Sequence, residues 1–127
     1  MTGPMQQEPA YVLHRRPWRE TSLMVDVFSL NAGRVTVIAR GGNSAKSPLK
    51  AQLQPFQPLL LDWTGRSDLK TLTQADVRSG PTLKRTLSLY SGLYVNELLQ
   101  RLLPMADPHH QLFAAYIDVI AELSEAS

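Results

Sequence analysis

Apolar residues in this chain keep a two-residue rhythm up to residue 77 and a three-to-four-residue rhythm after residue 82. A strand sends successive side chains to opposite faces, whereas a helix gathers every third or fourth on one side. The change falls at Ser79-Gly80-Pro81, a stretch that breaks both elements. The chain therefore divides into a strand part and a helical part. Strand-like runs occupy residues 10–16, 21–30, 34–40, 56–63 and 69–77. In the third run, Val35, Val37 and Ala39 share one face, and Arg34, Thr36, Ile38 and Arg40 share the other. Leu30-Asn31-Ala32-Gly33 between the second and third runs is a hairpin signal, because Asn and Gly accept positive φ. Gly65-Arg66-Ser67-Asp68 reads as the turn between the fourth and fifth. Between the third and fourth, Ser47-Pro48 suits the N-cap and first position of a short helix through Leu53.

Five short strands with a small helix after the third is the order of an OB-fold, a partly open barrel that often binds oligonucleotides. Pro58 sits awkwardly inside the fourth run, since proline fits only an edge or a bulge. In residues 82–103, Leu83, Leu87, Tyr90, Tyr94, Leu98 and Leu102 form an apolar stripe. This stripe is expected to be core first and a partner surface second. Gly92 within it weakens the helix but permits a close packing contact. Pro104 ends the helix, and Asp107-Pro108 caps a second one, with Leu112, Tyr116, Val119, Ile120 and Leu123 on one face. The expected architecture is mainly β with a C-terminal α part. Residues 1–80 form a nucleic-acid-binding barrel, and 81–127 form the truncated start of a helical domain.

Cysteine is absent, so this stretch offers no disulfide, thiol nucleophile or cysteine zinc site. No apolar run reaches the roughly 18 residues that span a bilayer, and the N-terminus lacks a signal-peptide pattern. A cytoplasmic protein is expected. His14, His109 and His110 show no metal-ligand spacing, and no nucleophile elbow, phosphate loop or dinucleotide fingerprint is present. The residues therefore point to no enzyme, no catalytic residue, no metal and no cofactor.

The net charge of +2 conceals an asymmetry: residues 10–80 hold ten of the thirteen Lys and Arg but five of the eleven Asp and Glu. A basic half suits an anionic partner. The loop RGGNSAKSPLK, residues 40–50, carries Arg40, Lys46 and Lys50 and no acid. It reads as a mobile clamp for phosphates, which neutralises charge without reading sequence. Single-strand binders combine such a surface with aromatic platforms. Trp18, after Pro17 and among Arg15, Arg16 and Arg19, is the candidate for stacking. Phe28, Phe56 and Trp63 read as core, and Tyr90 and Tyr94 as packing residues. Arg34 joins the basic set, and Arg66, Lys70 and Arg78 extend it. The rival reading is a protein-interaction module, in which barrel and helices dock an acidic peptide or a partner helix without DNA binding.

Several short motifs occur together: Glu20-Thr21-Ser22, Gly33-Arg34, Arg40-Gly41 with its basic loop, Leu53-Gln54-Pro55-Phe56, and the helical text from Tyr90 to Leu98. With them, about residues 10–125 closely resemble the bacterial DNA repair family RecO. The resemblance implies the N-terminal OB domain and the start of the helical domain of a chain about twice as long. In some members the remainder carries a cysteine zinc site. It further implies a recombination mediator that binds single- and double-stranded DNA and anneals complementary strands. Such a mediator works with RecR, contacts the tail of single-stranded DNA-binding protein, and helps RecA load onto coated strands. The tail site lies largely in the missing helical part, and the implied location is the nucleoid. Carried onto this chain, the DNA-binding positions are Arg15, Arg16, Arg34, Arg40, Lys46, Lys50, Arg66 and Lys70. The family pattern is firmest for Arg34, Arg40 and Lys46.

Overall fold

The text Ala10-Tyr11-Val12-Leu13 is apolar without a break because its strand is covered on both sides. In a computed structural model, which describes residues 3–65 and 68–125, it lies in strand β1 (Met5–Trp18). Ala10 and Val12 point into a barrel, and Tyr11 and Leu13 point out against helices; all four are buried. The barrel closes in the order β1, β2 (Ser22–Ser29), β3 (Gly33–Ala39), β5 (Leu69–Val77), β4 (Leu59–Thr64) and back to β1. All pairings are antiparallel except β3 with β5, which meet in parallel over Thr36↔Leu69, Val37↔Lys70 and Ile38↔Thr71. The expected five-stranded OB barrel followed by helices is present.

The alternation expected for β3 holds: Val35, Val37 and Ala39 join Val25, Leu61 and Trp63 in the barrel core. Pro58 is no obstacle, because β4 begins one residue later. Instead β1 itself contains Pro9 and Pro17, opposite Leu60 and Leu23. Helix α1 (Leu49–Gln52) begins one residue later than expected. Pro48 takes the cap position, and the Ser47 hydroxyl accepts the Leu49 amide at 3.1 Å.

The helical part departs from expectation in its orientation. Helix α2 (Thr86–Leu102) buries Ser88, Gly92 and Asn96 and turns most of its apolar stripe to solvent. Leu87, Tyr90, Tyr94 and Leu102 are 78%, 67%, 64% and 75% exposed. The reason is distance. A Cβ on Gly92 would lie 2.6 Å from the Phe56 ring, so the helix approaches the barrel more closely than a leucine face permits. Helix α3 (His110–Glu125) starts after the Asp107-Pro108 pair and buries Phe113, Tyr116 and Ile120. Its Leu112 is exposed, and Phe113 takes the place expected for it. Asp107 instead approaches His109, at 3.4 Å.

Barrel and helices share an aromatic cluster. The Tyr11 ring lies 5.8 Å from Phe113 and 5.1 Å from Tyr116, and Phe28 lies 5.2 Å from Phe113. Such tilted and edge-on pairs add to the energy of burial. At the centre, the Asn96 amide donates to the carbonyls of Leu13, at 3.3 Å, and Val12, at 3.5 Å. Its oxygen accepts the Tyr116 hydroxyl at 2.6 Å. Burial pushes the Tyr116 phenol well above its ordinary range, so it stays a donor.

Candidate nucleic-acid interface

A barrel gathers its connecting loops at its rims, and the cations follow those loops. The turn between β1 and β2 carries Arg19 in the left-handed region, φ 56°, with its guanidinium 5.5 Å from the centre of the Trp18 ring. That placement is a cation–π contact. The β3–α1 loop lies against this turn: the Asn43 amide donates to the Thr21 carbonyl at 2.8 Å. The loop is a series of turns. Gly42 donates to Ala39 at 3.1 Å, Ser44 to Gly41 at 3.1 Å and Ser47 to Ser44 at 3.1 Å.

Two cavities mark the ends of this loop. One, of about 400 Å³, is lined by Trp18, Arg19, Arg40 and Lys70 among others. The second, of about 510 Å³, is lined by Arg15, Lys50 and the loop residues Asn43, Ser44, Ala45 and Ser47. Both are bordered by the β3–α1 loop, in which Lys46 is exposed. The result is a cationic track from the Trp18 turn along residues 40–50 to α1. Glu20, exposed in the same turn, is the acid nearest in sequence. Among the described residues, Arg19, Arg40, Lys46 and Lys50 form no ion pair.

The sequence-derived set thus splits. Arg40, Lys46 and Lys50 are exposed on the track, and Trp18 is partly buried at one end. Arg15 borders the track, but its guanidinium donates to the carbonyl of Lys50 and, at 2.8 Å, to that of Leu53, holding α1 on β1. Burial lowers its pKa from the ordinary value. Strand alternation puts Arg16 in a separate cavity with His14, Met24 and Asp26, where it lies 3.1 Å from the Met24 sulfur. Lys70 is only 3% exposed, so it forms cavity wall rather than open surface. Arg66 lies outside the described residues.

Arg34 is also not an open cation. Its guanidinium pairs with Asp26 at 3.1 Å, and the same carboxylate oxygen accepts the Gln100 side chain at 3.0 Å. This links β2, β3 and α2, and nothing in the sequence marked Gln100 for it. Burial raises the Asp26 pKa, outweighing the opposing pull of Gln100, Arg34 and His14. A folded pKa above the unfolded value, about 3.9, means that Asp26 contributes most below that pH. The contribution is lost as pH rises through the folded value. Urea unfolding of wild type and Asp26→Asn across pH 4 to about 7 should show the wild-type advantage shrinking with rising pH. An advantage that grows would mean that the Arg34 pairing outweighs burial.

The comparison with known proteins agrees with the barrel. Residues 1–81 match the family described as "Recombination protein O N terminal". The chain belongs to the RecO family. DNA repair protein RecO of Marinobacter nauticus is 65% identical over all 127 residues, which cover 52% of its length. Those of Nitrosospira multiformis and Glaesserella parasuis are 48% and 49% identical over 122 and 119 residues, each covered to 50%. The chain thus spans about half the length of the RecO relatives it matches. Of the positions for which the family resemblance is firmest, Arg40 and Lys46 are exposed in the β3–α1 loop, and Arg34 lies at the opposite end of β3 in the Asp26 pair.

Proposed function

We propose that this chain is the DNA-binding barrel of a DNA repair protein, holding single- and double-stranded DNA by its phosphates and promoting annealing of complementary strands. The observation that carries this reading is the track of Arg19, Arg40, Lys46 and Lys50 on adjoining loops beside Trp18. The β1–β2 turn of this track is one of the OB-barrel loops that commonly bind oligonucleotides. The relatives' shared name, DNA repair protein RecO, supports it.

The mechanism needs no covalent step. Each lysine or arginine that meets a phosphate releases condensed counterions, which drives binding without sequence preference. Two strands repel each other, and a cationic surface that holds both lowers that repulsion while the bases pair by themselves. On this reading the protein is a mediator rather than an enzyme, with no catalytic residue and no cofactor. Acting with RecR and the tail of single-stranded DNA-binding protein, it would expose strands for RecA. No helix among the described residues is long and apolar enough to cross a membrane.

The test is fluorescence anisotropy of a labelled poly-dT oligonucleotide at two salt concentrations. Changing Arg40, Lys46 and Lys50 together to Glu should weaken binding at least about tenfold at low salt. It should also flatten the logarithmic salt slope by about two units, at about 0.7 for each phosphate contact on a single strand. Affinity indifferent to salt would sink the proposal.

A second reading draws on the outward stripe of α2. Leu87, Tyr90, Tyr94 and Leu98 stand at the spacing an amphipathic partner helix would engage. Docking there would survive the charge reversal that abolishes DNA binding.

A further inference from the structure

The cavity at the Trp18 end of the track is more than a charged surface. It opens where the β1–β2 turn meets the short parallel seam of β3 and β5. Its walls combine three chemistries: the Trp18 ring, the cations Arg19, Arg40 and Lys70, and an apolar side made by Ile38 and Leu69. Among the described residues, no acid lines it. Its volume, about 400 Å³, lies within the range of small-ligand sites. A ligand that uses all of this is anionic at one end and flat and aromatic at the other.

We propose that this cavity receives one unstacked nucleotide of a single strand, its base against Trp18 and its phosphate toward Arg40. The inference rests on the DNA-binding reading above and adds a subsite to it. Arg19 already lies over the indole, so the ring is held in place by a cation that also meets the incoming phosphate. Lys70 lies in the wall on β5 opposite Val37, where strand pairing fixes its backbone. A base in a duplex is stacked and paired and cannot enter. The cavity therefore favours single strands and strand ends, whereas the loop from Arg40 to Lys50 holds either form.

The second tryptophan, Trp63, is buried in the barrel core, so a ligand that stacks on indole acts on Trp18. The chain is titrated with poly-dT of 15 bases and with a duplex of equal length, reading intrinsic tryptophan emission and anisotropy together. The expected result is quenching by the single strand and little by the duplex. In Trp18→Phe the quenching should vanish with affinity nearly kept. In Trp18→Ala single-strand affinity should fall about tenfold, the scale of one lost base stack. Anisotropy that reports binding with no quenching, and with Trp18→Ala unaltered, would overturn the subsite while leaving the cationic track intact. No binding of either DNA would overturn both. The emission measurement needs no variant, so misfolding of a variant does not blunt the test.

Discussion

Replacing Asn96 by alanine should lower the unfolding free energy by about 3 kcal/mol, the sum of a small cavity and stranded polar groups. Asn96 is 1% exposed and serves three partners from two parts of the fold. Its amide meets the Val12 and Leu13 carbonyls of β1, and its oxygen takes the Tyr116 proton. Truncation leaves the phenol of Tyr116 buried without that acceptor and removes the side-chain donor to those two carbonyls. Tyr116→Phe removes one hydroxyl and keeps the ring packing with Tyr11 and Phe28, so it should cost about 1 to 2 kcal/mol. Urea unfolding followed by Trp63 emission measures both. If Asn96→Ala costs less than Tyr116→Phe, water has entered and replaced the amide, and the network does not hold helices to barrel. Because the two residues touch, the double variant should cost less than the sum of the singles.

The same residue shows where sequence reading reached its limit. Period identifies a helix and its stripes, but it does not say which stripe faces inward when both are plausible. In α2 the larger stripe, from Leu87 to Leu102, is outward, and the stripe of Ser88, Gly92 and Asn96 is inward. Small side chains let the backbone approach Phe56, and the amide finds carbonyls that a leucine would have left unsatisfied. The strands were easier to read, since β3 has one wet and one dry face and alternation states it directly. β1 is dry on both faces through Leu13, which hides the alternation but betrays burial. Its first residues, from Met5, lack an apolar pattern and join the sheet only by pairing with β4. For the candidate site, loop cations were legible because an unbalanced Arg40–Lys50 run stands out in one dimension. Whether a cation is already engaged is a three-dimensional matter: Arg34 faces Asp26 across β2 and β3, and Arg15 reaches α1 from 35 residues away. Lys70 is cavity wall because β5 closes against β3, a pairing between segments far apart in sequence.

Gly33→Ala should be as damaging as a large core truncation, about 4 kcal/mol, although it adds a single methyl group. Gly33 has φ +71°, where any side chain meets the following carbonyl at about 1 to 2 kcal/mol. A Cβ there would also stand 2.3 Å from the Asp107 carbonyl oxygen and 2.8 Å from its amide nitrogen. Those are backbone atoms and cannot rotate aside. The connection between α2 and α3 would have to lift from the β2–β3 turn, giving up the Ala106 amide bond to the Arg34 carbonyl at 2.7 Å. Gly41 provides the control: its φ is also +71°, yet nothing lies within 4 Å of a Cβ built on it. Gly41→Ala should therefore carry the conformational term alone, about 1 kcal/mol. The difference between the two variants isolates the contact of turn with connection, and amide exchange at Ala106 should accelerate in Gly33→Ala and not in Gly41→Ala. Equal losses would mean that the connection moves aside freely and that the helices are held on the barrel by Asn96 and the aromatic cluster without help from the β2–β3 turn.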